Sequence, residues 1–224
     1  MRYRVERALI RLLARIILGR RLHVRGVQNV PATGPVLIIG NHIATCDPPL
    51  VGALVPRLDL FYMAKSESFR KRWHRFLLEG YNAFPVVRHS ADRNAVRRAL
   101  EVLRDGHVLV MYPEGTRSPD HRVTRPYAGV GFIARRTGAP IIPAAIWGSE
   151  DVLPKGQLIP RRADVDIVYG EPFALPERNP DGSRMTHQQS ADFMMGRLAM
   201  LLPVGYQGVF GPDGTLLTDA RPAA

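Results

Sequence analysis

From residue 22 onward, short apolar runs alternate with stretches whose apolar positions recur at helical spacing. The runs over 36–40, 60–64, 83–87, 108–112, 140–147 and 165–168 are brief, largely aliphatic and bounded by turn residues, so they read as strands. Helical periodicity predicts helices over 49–55, 68–78, 91–104, 127–137 and 187–202. Ser90 suits the N-cap of the helix over 91–104, and Gly106 its stop. Such alternation predicts a single α/β domain with a largely parallel mixed sheet flanked by helices. The Pro- and Gly-rich stretches 153–163 and 174–186 read as loops, and the chain after Pro203 as irregular. The chain then divides into a helix over 1–21, a main domain over 22–210 and an irregular tail over 211–224.

On a helix of about 100° per residue, residues 2–18 split into two faces. Arg4, Arg7, Arg11 and Arg15 share one stripe, while Val5, Leu9, Leu12, Leu13, Ile16 and Ile17 lie opposite. The pattern is that of a basic amphipathic helix, which serves to pack on the domain's own core, to lie on a membrane surface, or to do both if it packs at one edge. It is too short and too interrupted by arginine to span a bilayer, which needs about 20 apolar residues. Arginine within the apolar stretch also argues against a secretory signal.

Composition sharpens this division. The 224 residues carry 31 Lys+Arg against 20 Asp+Glu, a formal charge of +11, and residues 1–25, with eight Arg and one Glu, supply +7 of it. An anionic partner is implied. The basic residues concentrate on one helix face opposite aliphatics, without aromatic stacking residues nearby, which disfavours nucleic acid and favours an anionic membrane surface met by residues 2–18. One cysteine excludes an internal disulfide framework, and the seven histidines show no paired ligand spacing, so no metal site is expected.

Three of the strand runs end in reactive or phosphate-friendly residues: Asn41-His42 after the first, Arg88 after the third, and Pro113-Glu114-Gly115-Thr116-Arg117 after the fourth. In open α/β sheets ligands bind beyond the carboxyl ends of the strands. His42 and Asp47 can meet only if the chain turns between them. Pro48 favours that turn and suits the first position of a helix, with Asp47 expected at its N-cap. A carboxylate there would fix the imidazole tautomer and leave the other ring nitrogen as a general base. Read alone, Asp47 is equally a plain cap and His42 a loop histidine. Arg117 can fork onto phosphate, and Gly115 permits close backbone approach.

These residues, taken in order, resemble the glycerolipid acyltransferases typified by lysophosphatidic acid acyltransferase. Asn41-His42 through Asp47 is similar to the family's N-H-x4-D block, and residues 80–88 to its block ending in Arg. Tyr112-Pro113-Glu114-Gly115-Thr116-Arg117-Ser118 is similar to F-P-E-G-T-R-S, and residues 139–146 to the apolar block containing Pro143. Lys65, within Met-Ala-Lys-Ser-Glu, and Leu-Leu-Pro near the end of the domain fit the same family, and the resemblance covers roughly 22–210.

The resemblance implies acyl transfer from a thioester donor, acyl-CoA or acyl-carrier protein, to the hydroxyl of a lysophospholipid such as 1-acyl-glycerol-3-phosphate. No further cofactor is implied. His42 would take the hydroxyl proton and Asp47 orient it. Arg88, Glu114, Gly115, Thr116 and Arg117 would form the acceptor site, Lys65 would hold an oxyanion or phosphate, and Pro143 would shape a wall. A peripheral position on the cytoplasmic face of the cell membrane follows from a lipid acceptor. Three positions depart from the family pattern: Tyr112 adds a hydroxyl expected near the acceptor, Ala44 lacks a hydroxyl common in the His-Asp loop, and Val87 stands where an acid is frequent. Other readings are a covalent route through Cys46 and a non-catalytic lipid-binding module. No G-x-S-x-G elbow offers a serine nucleophile.

Overall fold

The computed structural model describes residues 2–87, 92–154, 157 and 159–218. Its strands are β1 (Leu22–Arg25), β2 (Val36–Gly40), β3 (Leu60–Lys65), β4 (Ala83–Val86), β5 (Val108–Met111), β6 (Ile141–Trp147) and β7 (Val165–Tyr169). They form one sheet in the order β1-β7-β6-β2-β5-β3-β4. Strands β2 to β6 run parallel; β7 is antiparallel to β6, and β1 is parallel to β7, so this edge pair runs against the rest. The single α/β domain with a largely parallel sheet is therefore present.

Side chains alternate across each strand, and on β2 they fill two cores. Val36 and Ile38 join the core under α1 (Arg2–Ile17), α2 (Asp47–Leu54) and α3 (Arg72–Gly80). Leu37 and Ile39 join the core under α4 (Arg93–Arg104), α5 (Ala128–Thr137) and α6 (His187–Ala199). Coverage on both faces explains why the central strands read as unbroken apolar runs.

Several boundaries differ from expectation. The helix expected over 68–78 splits into a 3-10 turn at Ser66–Phe69 and α3. Asp92 caps α4, accepting from the amides of Asn94 and Ala95; Ser90, the expected cap, lies outside the described residues. Strand β1 escaped the reading because it is a four-residue edge strand with only alternate positions half-buried. In the tail expected to be irregular, Phe210 bridges Leu216 and the Leu217 amide donates to Val209.

Helix α1 docks in an unexpected orientation. Arg7, expected on a solvated stripe, is 7% exposed. Its guanidinium donates to the carbonyls of Ala53 (2.9 Å) and Val55 at the end of α2, where a helix leaves acceptors unpaired. Tyr3 and Ala14 are buried beside it, while Val5, Leu9, Leu12, Leu13 and Ile16 are exposed. Most of the apolar stripe thus faces outward, and only Ile17 at its end packs half-buried against the core.

Candidate active site

The turn after β2 is built around a buried carboxylate. Asn41 ends the strand by mimicking a further strand residue: its side-chain amide donates to Ile146 O at 2.8 Å and accepts from Ile146 N at 2.9 Å. The chain then curls over Asp47, whose Oδ2 accepts from the amides of Ile43 and Ala44, both at 2.7 Å, and lies 3.0 Å from His42 Nδ1. Asp47 Oδ1 accepts from Ser149 Oγ at 2.6 Å. Asp47 is not the cap expected for the helix: α2 starts at Asp47 itself, follows Cys46, and has no side-chain cap. Its carboxylate points back into the loop. A carboxylate so placed accepts a hydrogen bond from Nδ1–H, holding the proton on that nitrogen and leaving Nε2 as the basic nitrogen of the ring.

His42 lines a cavity of about 940 Å³ at the carboxyl ends of β3, β4 and β5. Lys65, Gly115, Thr116 and Arg117 line it with His42, and Met63, Met111, Val96, Val130 and Ile133 give it an apolar depth. Gly115, at φ +69°, closes the turn after β5 by donating to Tyr112 O at 3.0 Å, a conformation that favours glycine. Arg117 is exposed and steadied by a 2.8 Å hydrogen bond to Thr45 Oγ1. Long charged groups, a basic ring and an apolar interior converge here.

Other expected residues fall elsewhere. Glu114 is 2% exposed and does not line the cavity. One oxygen accepts from the His42 amide at 2.8 Å and the other from Thr124 N and Oγ1 at 2.8 and 2.9 Å, so it fastens the two loops together. Burial pushes its carboxyl up to about 7, against the pull of these three donors. Pro143 is buried within β6, level with Ile39 of β2, and is absent from the cavity wall. Arg88 lies outside the described residues.

Cys46 also stands off the cavity. Its thiol donates to Ser149 O at 3.6 Å, and burial, with the Asp47 charge next, pushes it up to about 12. A thiol held in that form is a poor nucleophile. The Tyr112 ring covers Gly40 and sits 4.7 Å from the His42 ring, but its hydroxyl is buried without a partner rather than offered to the cavity. Beside Val87, Asp92 supplies an acid to the cavity lining and accepts from the Val87 amide at 2.8 Å. Ser149 and Thr124 carried no signal in the sequence, since both reach the site from distant loops. No cluster of metal-ligating side chains occurs among the described residues.

A family model described as Acyltransferase matches residues 21–147. The 1-acyl-sn-glycerol-3-phosphate acyltransferase of Bacillus subtilis is 29% identical over 162 residues, covering 71% of this chain and 78% of that protein. A lyso-ornithine lipid O-acyltransferase of Pseudomonas aeruginosa is 29% identical over 157 residues, covering 70% and 59%. The crystal structure of the 1-acyl-sn-glycerophosphate (LPA) acyltransferase PlsC from Thermotoga maritima superimposes with a TM-score of 0.58 at 30% identity, covering 68% of this chain and 61% of that one. This chain thus spans less than two thirds of the latter two proteins.

Proposed function

The chain belongs to the acyltransferase family, and on that premise we propose that it moves a fatty acyl group from acyl-CoA or acyl-carrier protein to the free hydroxyl of a lysophospholipid, 1-acyl-glycerol-3-phosphate giving phosphatidic acid. The observation that carries this reading is the His42–Asp47 pair, 3.0 Å apart, on the wall of a cavity that also holds Lys65 and Arg117.

Asp47 orients His42, whose Nε2 removes the acceptor hydroxyl proton as the oxygen attacks the thioester carbonyl. The tetrahedral intermediate collapses with loss of the carrier thiolate, and the imidazolium returns the proton to it, so no acyl-enzyme is formed. Arg117 and Lys65 meet the acceptor phosphate or the developing oxyanion. The apolar depth takes acyl chain. The enzyme sits peripherally on the cytoplasmic face of the cell membrane through α1; no helix among the described residues is long and apolar enough to cross a membrane.

Purified protein given either donor and lysophosphatidic acid should release free carrier thiol and form phosphatidic acid. His42→Ala should lower turnover by about 10²–10⁴-fold, and equal rates would remove His42 from the role of base. The likeness to a lyso-ornithine lipid O-acyltransferase favours a second acceptor for comparison. Mass spectrometry of products from both lysolipids, offered at equal concentration, separates the two.

A further inference from the structure

Helix α3 carries its apolar residues on the wrong side for a helix that packs on a sheet. Trp73, Phe76 and Leu77 follow the i, i+3, i+4 spacing of a buried stripe, yet Trp73 is 60% and Phe76 61% exposed. The helix is held to the domain through Leu78 and Gly80 instead. This face meets the first turns of α1. The Arg2 guanidinium lies 3.5 Å from the Phe76 ring centroid and is paired with Glu6 at 3.0 Å. Both side chains lie over Gly80, where a larger residue would meet them.

The rim of the joined surface is basic. Arg70, Lys71, Arg72 and Arg75 are exposed, with no acidic residue between positions 68 and 78. Arg4, Arg11 and Arg15 are exposed on α1. An apolar strip bordered by guanidinium and ammonium groups complements acidic headgroups over acyl chains. A second copy of this chain on the same surface would oppose like charges, which disfavours that occupant. Tryptophan with a second aromatic is the side-chain chemistry of the headgroup level. Ser68, in the cavity lining, precedes Trp73 by about one turn of chain.

We propose that α3 joins α1 in a single docking surface for an anionic lipid bilayer, with Trp73 and Phe76 seated at headgroup level beside the cavity. This rests on the peripheral-membrane reading above and extends it to an element outside the N-terminal segment.

The test uses the full chain with phosphatidylcholine vesicles, with or without phosphatidylglycerol. Three forms are compared: wild type, Trp73→Ser/Phe76→Ser and Leu9→Ser/Leu12→Ser. Because all four side chains are exposed, thermal unfolding should stay close to wild type. The α3 double variant should bind phosphatidylglycerol vesicles at least about tenfold more weakly, with turnover on detergent-solubilised acceptor within about twofold of wild type. In a Trp147→Phe background, brominated lipid should quench Trp73 fluorescence.

Wild-type vesicle binding by the α3 variant, with loss in the α1 variant, would overturn the α3 assignment and leave the peripheral reading standing. Wild-type binding by both variants would overturn both. Equal binding to vesicles with and without phosphatidylglycerol would overturn the anionic assignment. A dimer in buffer that the α3 substitutions dissolve, with vesicle binding unchanged, would give the surface to a second copy.

Discussion

Buried from solvent, the Asp47 carboxylate gathers four hydrogens: from His42 Nδ1, the amides of Ile43 and Ala44, and the Ser149 hydroxyl. A hydrogen bond to a charged group stabilises by about 1.5–3 kcal/mol, so Ser149→Ala should lower unfolding free energy by about that much in urea titration. On the proposed mechanism it should also lower kcat with little change in KM, because Ser149 touches the Asp47 carboxylate and lines no part of the cavity. The Tyr112 hydroxyl presents the opposite case, a buried polar atom without a partner. Tyr112→Phe should leave stability unchanged or raise it by about 1–3 kcal/mol, read as an increase in Tm. The pairing of His42 with Asp47 was legible from the N-H-x4-D block rather than from spacing alone, and the turn itself is made by the Ile43 and Ala44 amides donating to the carboxylate. The scaffolding role of Glu114 was not, since it depends on the amide of His42 and on Thr124, which no local spacing connects.

Among the elements, most strands were legible because burial on both faces leaves continuous apolar runs, and only β1, half-covered at the edge, left too weak a pattern. Periodicity gave α1 its two faces but not which of them turns inward. That depends on the unpaired carbonyls of Ala53 and Val55, which Arg7 satisfies. Arg7→Leu should therefore destabilise the fold by about 1–3 kcal/mol, measured in urea, although the substitution makes the helix more apolar. If α1 merely floated beside the domain, the variant would unfold at the wild-type midpoint. The same contact makes deletion of residues 1–20 a poor probe of membrane binding, because it strips a support from the helix that begins at Asp47.

For the whole molecule, stability should depend on the protonation of Glu114. Its carboxyl is raised from an ordinary 4.5 to about 7 by burial. The contribution of the protonated form is fully present below pH 4.5 and lost as pH rises through about 7, by up to about 3 kcal/mol. Unfolding free energy should therefore fall between about pH 4.5 and 7, and Glu114→Gln should flatten that fall while costing about 1–3 kcal/mol for the acceptor it removes. A wild-type profile as flat as the variant's would show Glu114 ionised throughout, held by its three donors.

The edge pair of the sheet has a consequence for how the chain is made. Strand β1 at Leu22–Arg25 pairs with β7 at Val165–Tyr169, so that seam cannot close until the chain has been synthesised about 140 residues beyond β1. Loop closure over such a distance is slow relative to local helix formation. Helix α1 therefore leaves the ribosome long before the strand that follows it has a partner. During that interval its outward apolar stripe is open to whatever surface lies nearest, so the bilayer contact proposed above would form before the cavity beyond β3, β4 and β5 exists.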